Sequence, residues 1–141
     1  MAVERKLRLP GEIEQVRAAC EFVVEVARAA GFGDDGIFQS QLAVEEIFTN
    51  IVEHGYGYDG ANKHIEIVTE VTDDAMVISI LDEAEPFNPL ELEAPDPSTP
   101  LWEREGGGWG VYFVQQYMDD VRYKLDNNRN RLILTKKLPA K

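Results

Sequence analysis

Apolar and polar positions along the chain fall into blocks of two different periods. From Glu12 to Ala30, apolar residues recur at helical spacing, at Ile13, Val16, Cys20, Val23, Ala27 and Ala30, with Arg17, Glu21, Glu25 and Arg28 on the outer side. That outer side reads as a solvated face or as a partner-binding face. Gly31 stands where the C-terminal turn of this helix is expected. A second helical block opens near Asp34, where Asp34 and Asp35 offer capping oxygens, and runs to His54-Gly55-Tyr56-Gly57. Its apolar stripe is broad: Ile37, Phe38, Leu42, Val44, Ile47, Phe48, Ile51 and Val52, with Glu45 pointing into the same arc. Glu46 and Asn50, four positions apart, lie only ~40° from each other on the remaining face.

The period then changes. Ile65, Ile67, Thr69 and Val71 alternate with Glu66 and Glu70, the pattern of a half-buried strand. Asp73-Asp74 turns the chain into Met76 to Leu81, a nearly continuous apolar run that predicts a central strand and ends in Asp82. Near the C-terminus, Val121, Tyr123 and Leu125 form one strand and Arg131 to Leu138 another, joined at Asn127-Asn128. Lys6 to Leu9 makes a short edge strand closed by Pro10-Gly11. Between the hairpins, Glu83 to about Gly108 shows no period and holds five of the seven prolines. Such a segment is either a lid or binding loop, or a disordered insertion. Gly106-Gly107-Gly108-Trp109-Gly110 then opens a third amphipathic helix bearing Val111, Val114, Tyr117 and Met118. Hairpins separated by helices predict an α/β (α+β) two-layer sandwich: a mixed, mostly antiparallel sheet covered on one face by three helices. A doubly wound parallel fold would require regular alternation of strand and helix.

Composition narrows the function. With 141 residues, 44% of them hydrophobic and 28% charged, the chain reads as one ordinary globular domain over 1–141. A net charge of −12 disfavours DNA and anionic lipid as partners. No apolar run reaches membrane-spanning length, and Met1 leads into AVERKLRLPGE rather than a secretory apolar segment. The single Cys20 cannot form an internal disulfide, so the expected setting is reduced and cytoplasmic.

Three places carry candidate chemistry. The carboxylate of Glu46 can take a proton and the amide oxygen of Asn50 can ligate a hard cation, although an isolated pair of this kind is most often a solvated surface. Asp82 is an acceptor-only carboxylate at the end of an apolar strand. It is either the first residue of a turn or a reader of an amino group such as that of adenine. The glycine run before the third helix suits close approach of phosphate to free N–H groups, or a hinge. No Lys-Ser/Thr follows it, which excludes a P-loop, and it follows no strand, which excludes the dinucleotide-binding fingerprint.

These segments, in this order, resemble a known family. L-A-V-E-E-I-F-T-N-I-V-E-H-G-Y (Leu42–Tyr56) is similar to the N-box helix of the GHKL ATPases, which share the Bergerat fold. L-D-E-A-E-P-F-N-P (Leu81–Pro89) resembles their first glycine box, and G-G-G-W-G-V-Y-F-V-Q-Q-Y-M-D-D-V (Gly106–Val121) the second. Within that superfamily the likeness is greatest to the stand-alone anti-sigma-factor serine kinases of the RsbW type. The resemblance implies ATP and Mg²⁺ as cofactors, with Asn50 as the metal ligand and Glu46 as general base. It implies that Asp82 reads adenine beside position 84, that Gly106, Gly107, Gly108 and Gly110 wrap the phosphates, and that the loop over about 84–108 is an ATP lid. Arg104 and His54 are the candidates for phosphate contact, with a solvent-exposed lid arginine and a helix-terminal histidine as their alternatives.

The implied partners are an anti-anti-sigma (STAS-type) substrate protein and a sigma factor, with room for a homodimer and no direct nucleic acid or membrane contact. Two departures stand out. The first glycine box carries Ala84 in place of glycine, whose methyl narrows the base site and disfavours positive φ. The Gly-Thr expected before the last strand is replaced by Asn130-Arg131, which leaves Asp82 without a hydroxyl partner. These departures keep two other readings open: a nucleotide-binding switch without kinase activity, and a scaffold that binds no nucleotide.

Overall fold

The apolar run ending in Asp82 is indeed the middle of the sheet. The computed structural model describes residues 2–91 and 109–139. In chain order these form β1 (Val3–Pro10), a 3-10 turn (Ile13–Gln15), α1 (Val16–Ala29), α2 (Asp34–Asn50) and a π turn (Ile51–Gly55). Then follow β2 (His64–Val71), β3 (Ala75–Asp82), a 3-10 turn (Pro89–Glu91), α3 (Trp109–Tyr117), β4 (Asp120–Asp126) and β5 (Arg129–Lys137). The sheet runs β1-β2-β3-β5-β4, and each of its pairings is antiparallel.

Alternation on the strands sends one face into the core. Ile65, Ile67 and Thr69 of β2, Met76, Ile78 and Ile80 of β3, and Leu132 and Leu134 of β5 are buried. All of these but Thr69 share one cluster with Val23, Val26 and Ala27 of α1, Val44, Ile47 and Phe48 of α2, and Val111 and Val114 of α3. Each such large aliphatic side chain contributes on the order of 1.5–3 kcal/mol on burial, so the stripe on α2 fixes that helix against the sheet. α2 also packs on both α1 and α3, which makes it the centre of the helical layer.

Local signals explain the boundaries. α1 ends in a Schellman turn: Gly31 takes φ 100°, its N–H donates to Arg28 O at 3.1 Å, and the Phe32 N–H donates to Ala27 O at 3.1 Å. Phe32 is buried against the core as that motif requires. The β4–β5 hairpin turns on Asn127 and Asn128 at φ 52° and 65°, the two left-handed residues of a tight hairpin.

Several details differ from the sequence pattern. α1 begins only at Val16, because the chain first makes a 3-10 turn that leaves Ile13 exposed. Gly33, not an aspartate, holds the N-cap position of α2 with no side-chain cap; Asp34 and Asp35 instead occupy the first turn, where the helix dipole favours them. Phe38 is 59% exposed although the stripe included it, and Glu45 faces solvent rather than the apolar arc. The stripe was drawn wider than the core it meets. Among the described residues no helix is long and apolar enough to cross a membrane.

Candidate functional site

Antiparallel pairing of β3 with β5 and the lie of α2 across the sheet leave one cavity of about 830 Å³. That is the size range of small-molecule sites. Ile47 and Ile51 from the helical layer and Ile80 and Leu132 from the sheet supply apolar walls. Asn50, His54, Asp82, Ala84, Gly110, Tyr123 and Asn130 bring polar groups or backbone to the same space. Five residues singled out from sequence, Asn50, His54, Asp82, Ala84 and Gly110, therefore line a single cavity. Arg104, Gly106, Gly107 and Gly108, with most of the lid segment, lie outside the described residues.

Asp82 ends β3 at 7% exposure. Its Oδ1 accepts from the Ala84 N–H at 2.9 Å and from Asn130 Nδ2 at 3.0 Å. Burial pushes its pKa above the ordinary carboxylate range, and these two donors pull the other way. Among the described residues Asp82 has no hydroxyl partner, but Asn130, its cross-strand neighbour, supplies a donor. It lines the cavity and engages Asp82, and the sequence pattern did not single it out as a site residue. Only the register of two strands 48 positions apart could have revealed it.

Ala84 does not adopt positive φ, a conformation confined among described non-glycine residues to Tyr58, Asn127 and Asn128. The backbone there needs no glycine. Its methyl lies beside Gly55, where an added Cβ would stand 3.3 Å from the Ala84 Cβ. The two positions thus share one space on the Asp82 side of the cavity.

On the Asn50 side, α3 crosses close over α2. A Cβ on Gly110 would come within 2.6 Å of Glu46 Oε2 and 3.4 Å of Asn50 Nδ2, so a larger residue there would meet the end of the Glu46 side chain. Glu46 does not itself line the cavity and reaches its rim beside Gly110. Burial, then Glu45 and Glu53, raise the Glu46 pKa, which makes it a stronger base than a free carboxylate. His54 is exposed on the cavity wall, with Nε2 4.0 Å from Glu53 Oε2. Lys63, which the sequence reading did not single out, stands on the wall with its ammonium 5.2 Å from the centre of the Tyr56 ring.

The donor set can be tested against Mg²⁺. No cluster of three His, Cys, Asp or Glu side chains able to cage a metal occurs among the described residues. One amide on the wall of an open cavity, with room preserved by Gly110, fits a cation that retains water and substrate phosphate as ligands.

This fold, with a buried strand-end carboxylate and a helix amide lining one cavity, defines a class. Residues 9–136 match the family described as Histidine kinase-like ATPase domain, and the chain belongs to that family. Its relatives include the Serine-protein kinase RsbW of Oceanobacillus iheyensis, 29% identical over 139 residues, which span 96% of this chain and 86% of the relative. The Serine-protein kinase RsbW of Bacillus cereus (strain AH187) is 28% identical over 132 residues, spanning 91% and 81%. The likeness to the RsbW type seen in the three motifs is thus the one these relatives carry.

Among solved structures, the RsbU and RsbW domains of a Mycobacterium tuberculosis protein superpose with a TM-score of 0.67 at 19% identity, covering 99% of this chain. This chain spans 33% of that solved chain, and the likeness bears on the fold alone.

Proposed function

We propose that the chain is a single ATP-binding unit that transfers the γ-phosphoryl group of ATP to a serine of an anti-anti-sigma partner, and that phosphorylation switches its hold between that partner and a sigma factor. The observation that carries the reading is that Asp82 and Asn50 line one cavity, with the base candidate Glu46 beside Gly110 on its wall. The names of the relatives support the reaction class, since they are serine-protein kinases.

In this reading Asp82 accepts the 6-amino hydrogen of adenine, and the apolar walls hold the base faces. Asn50 holds Mg²⁺, which when bound neutralises phosphate charge. Glu46 accepts the proton of the attacking serine hydroxyl. The serine Oγ–P bond forms as the bond from the γ-phosphorus to the bridging oxygen breaks, and ADP leaves. Gly106, Gly107, Gly108 and Gly110 wrap the phosphates, and Arg104 and His54 contribute positive charge or hydrogen bonds there.

Two substitutions separate the roles. Asn50→Ala is expected to abolish Mg²⁺-dependent ATP binding in calorimetry. Glu46→Gln is expected to spare binding and remove transfer of labelled phosphate to the partner. Equal loss of binding in both would contradict the base assignment. A wild-type chain that binds ATP but leaves no phosphoserine on any partner would be a switch without kinase activity, and one that binds no ATP at millimolar concentration would be a scaffold.

A further inference from the structure

Asn130 faces Asp82 across the β3–β5 ladder, and its carboxamide is fully engaged. Nδ2 donates toward Asp82 Oδ1 at 3.0 Å, Ala84 O at 3.1 Å and Glu85 O at 3.1 Å. Oδ1 accepts from the Phe87 N–H at 3.0 Å and from the Tyr123 hydroxyl. Three acceptors surround the nitrogen and two donors surround the oxygen, so a flipped amide would set like against like. Two N–H groups already serve three acceptors. Asn130 lines the cavity and yet has no donor left for a ligand.

We propose that Asn130 is a positioning residue that makes the cavity choose a 6-amino purine over a 6-oxo purine, by holding Asp82 as a fixed carboxylate that can only accept. The inference rests on the nucleotide reading above. Both donors to Asp82 fall on Oδ1, which locks the carboxylate plane and leaves Oδ2 without a partner among the described residues. Burial favours a proton on Asp82, and the Asn130 hydrogen bond opposes it most strongly. A protonated Asp82 would donate, and a donor matches the 6-oxo group. The charged and titratable groups around it are Glu83 just past the end of its strand, Glu85 in the next turn, His54 and Lys63 on the wall, and the Tyr56 and Tyr123 hydroxyls. Neither His54 nor Lys63 is hydrogen-bonded to it, so the two N–H groups are its hydrogen-bond donors among the described residues.

The test compares ATP with ITP, which carries an oxo group in place of the 6-amino group. Affinities are measured by calorimetry with Mg²⁺ on the full chain. Wild type is expected to prefer ATP by roughly tenfold to a hundredfold, the value of one matched hydrogen bond against one mismatch. Asn130→Val and Asn130→Thr both delete the carboxamide and differ in one hydroxyl. The Val variant is expected to bring the two nucleotides within about threefold of each other, while Thr, donating to Oδ1, restores at least about a tenfold preference.

A merely structural role would weaken both nucleotides equally, and an unchanged ATP/ITP ratio in Asn130→Val would overturn the proposal. Should that variant not fold, Tyr123→Phe keeps Asn130 and removes one of its two anchoring donors. A narrowed ratio there supports the proposal, and a wild-type ratio refutes it. Wild type binding neither nucleotide defeats the nucleotide reading itself. Wild type binding ATP and ITP equally defeats only the role given to Asn130.

Discussion

Gly110→Ala is the sharpest probe of how the two helices share the site. The new methyl would stand 2.6 Å from Glu46 Oε2. To reach ordinary contact at about 3.4 Å, that oxygen must withdraw by roughly 0.8 Å. The obstacle is the far end of a flexible side chain, so the carboxylate yields before the backbone does. The fold should even gain, because replacing glycine by alanine inside a helix contributes about 0.5–1 kcal/mol. For a domain of this size that raises Tm by about 2–4 °C.

Catalysis moves the other way. A base displaced by about 1 Å costs on the order of a hundredfold in rate, or about 2.7 kcal/mol in barrier. The measurement is single-turnover transfer of labelled γ-phosphate to the purified partner, with a thermal melt of the same sample. Transfer at the wild-type rate in a protein whose Tm has risen would refute the placement of Glu46 as base. A Tm lowered by several degrees would show instead that the clash reaches the α2–α3 backbone.

Two further outcomes follow from the site. Burial and the neighbouring Glu45 and Glu53 raise the folded pKa of Glu46, so the folded state holds that proton to higher pH than the unfolded chain does. The resulting stability is fully present below the ordinary carboxylate pKa and is lost as pH rises through the raised value. Glu46→Gln removes this loss, so urea denaturation should find the Gln variant more stable than wild type at pH 7 and indistinguishable from it near pH 4. For the shared space on the Asp82 side, Gly55→Ala crowds the Ala84 methyl at 3.3 Å and Ala84→Gly relieves it. A double-mutant cycle should give a favourable coupling of about 0.5–1 kcal/mol, and a coupling near zero would mean that the two positions do not meet.

What could be read from the residues was whatever local periodicity encodes. The run Met76 to Leu81 announced a central strand, and the asparagine pair 127–128 a hairpin turn, because each is decided within a few positions. Asn50, Asp82 and Gly110 stand out in the sequence as residue types that carry chemistry, and they line one cavity. Asn130 was seen only as a departure from a pattern. Its role depends on β5 pairing with β3 across a long intervening segment, and no local signal encodes that register. Phe38 and Glu45 were misplaced for a related reason: a helical stripe gives angles, and only the neighbouring elements decide how much of the arc is covered.

The π turn at Ile51–Gly55 joins two fixed points. Upstream, Asn50 is held where α3 meets α2. Downstream, the Tyr56 ring fills the slot between Gly11 and Gly60, its hydroxyl donates to His64 O at 2.6 Å, and that same oxygen accepts the Glu83 N–H at 2.7 Å. The Tyr56 N–H donates back to Ile51 O at 2.7 Å, five residues earlier, so this turn is wound more loosely than the helix before it. The turn therefore works as a vernier between two rulers, one set by the helical layer and one by the sheet. A residue lost or gained here would be absorbed as a change of winding, and its effect would be rotation of His54 and Gly55 around the mouth of the cavity rather than displacement of Asn50 or Asp82.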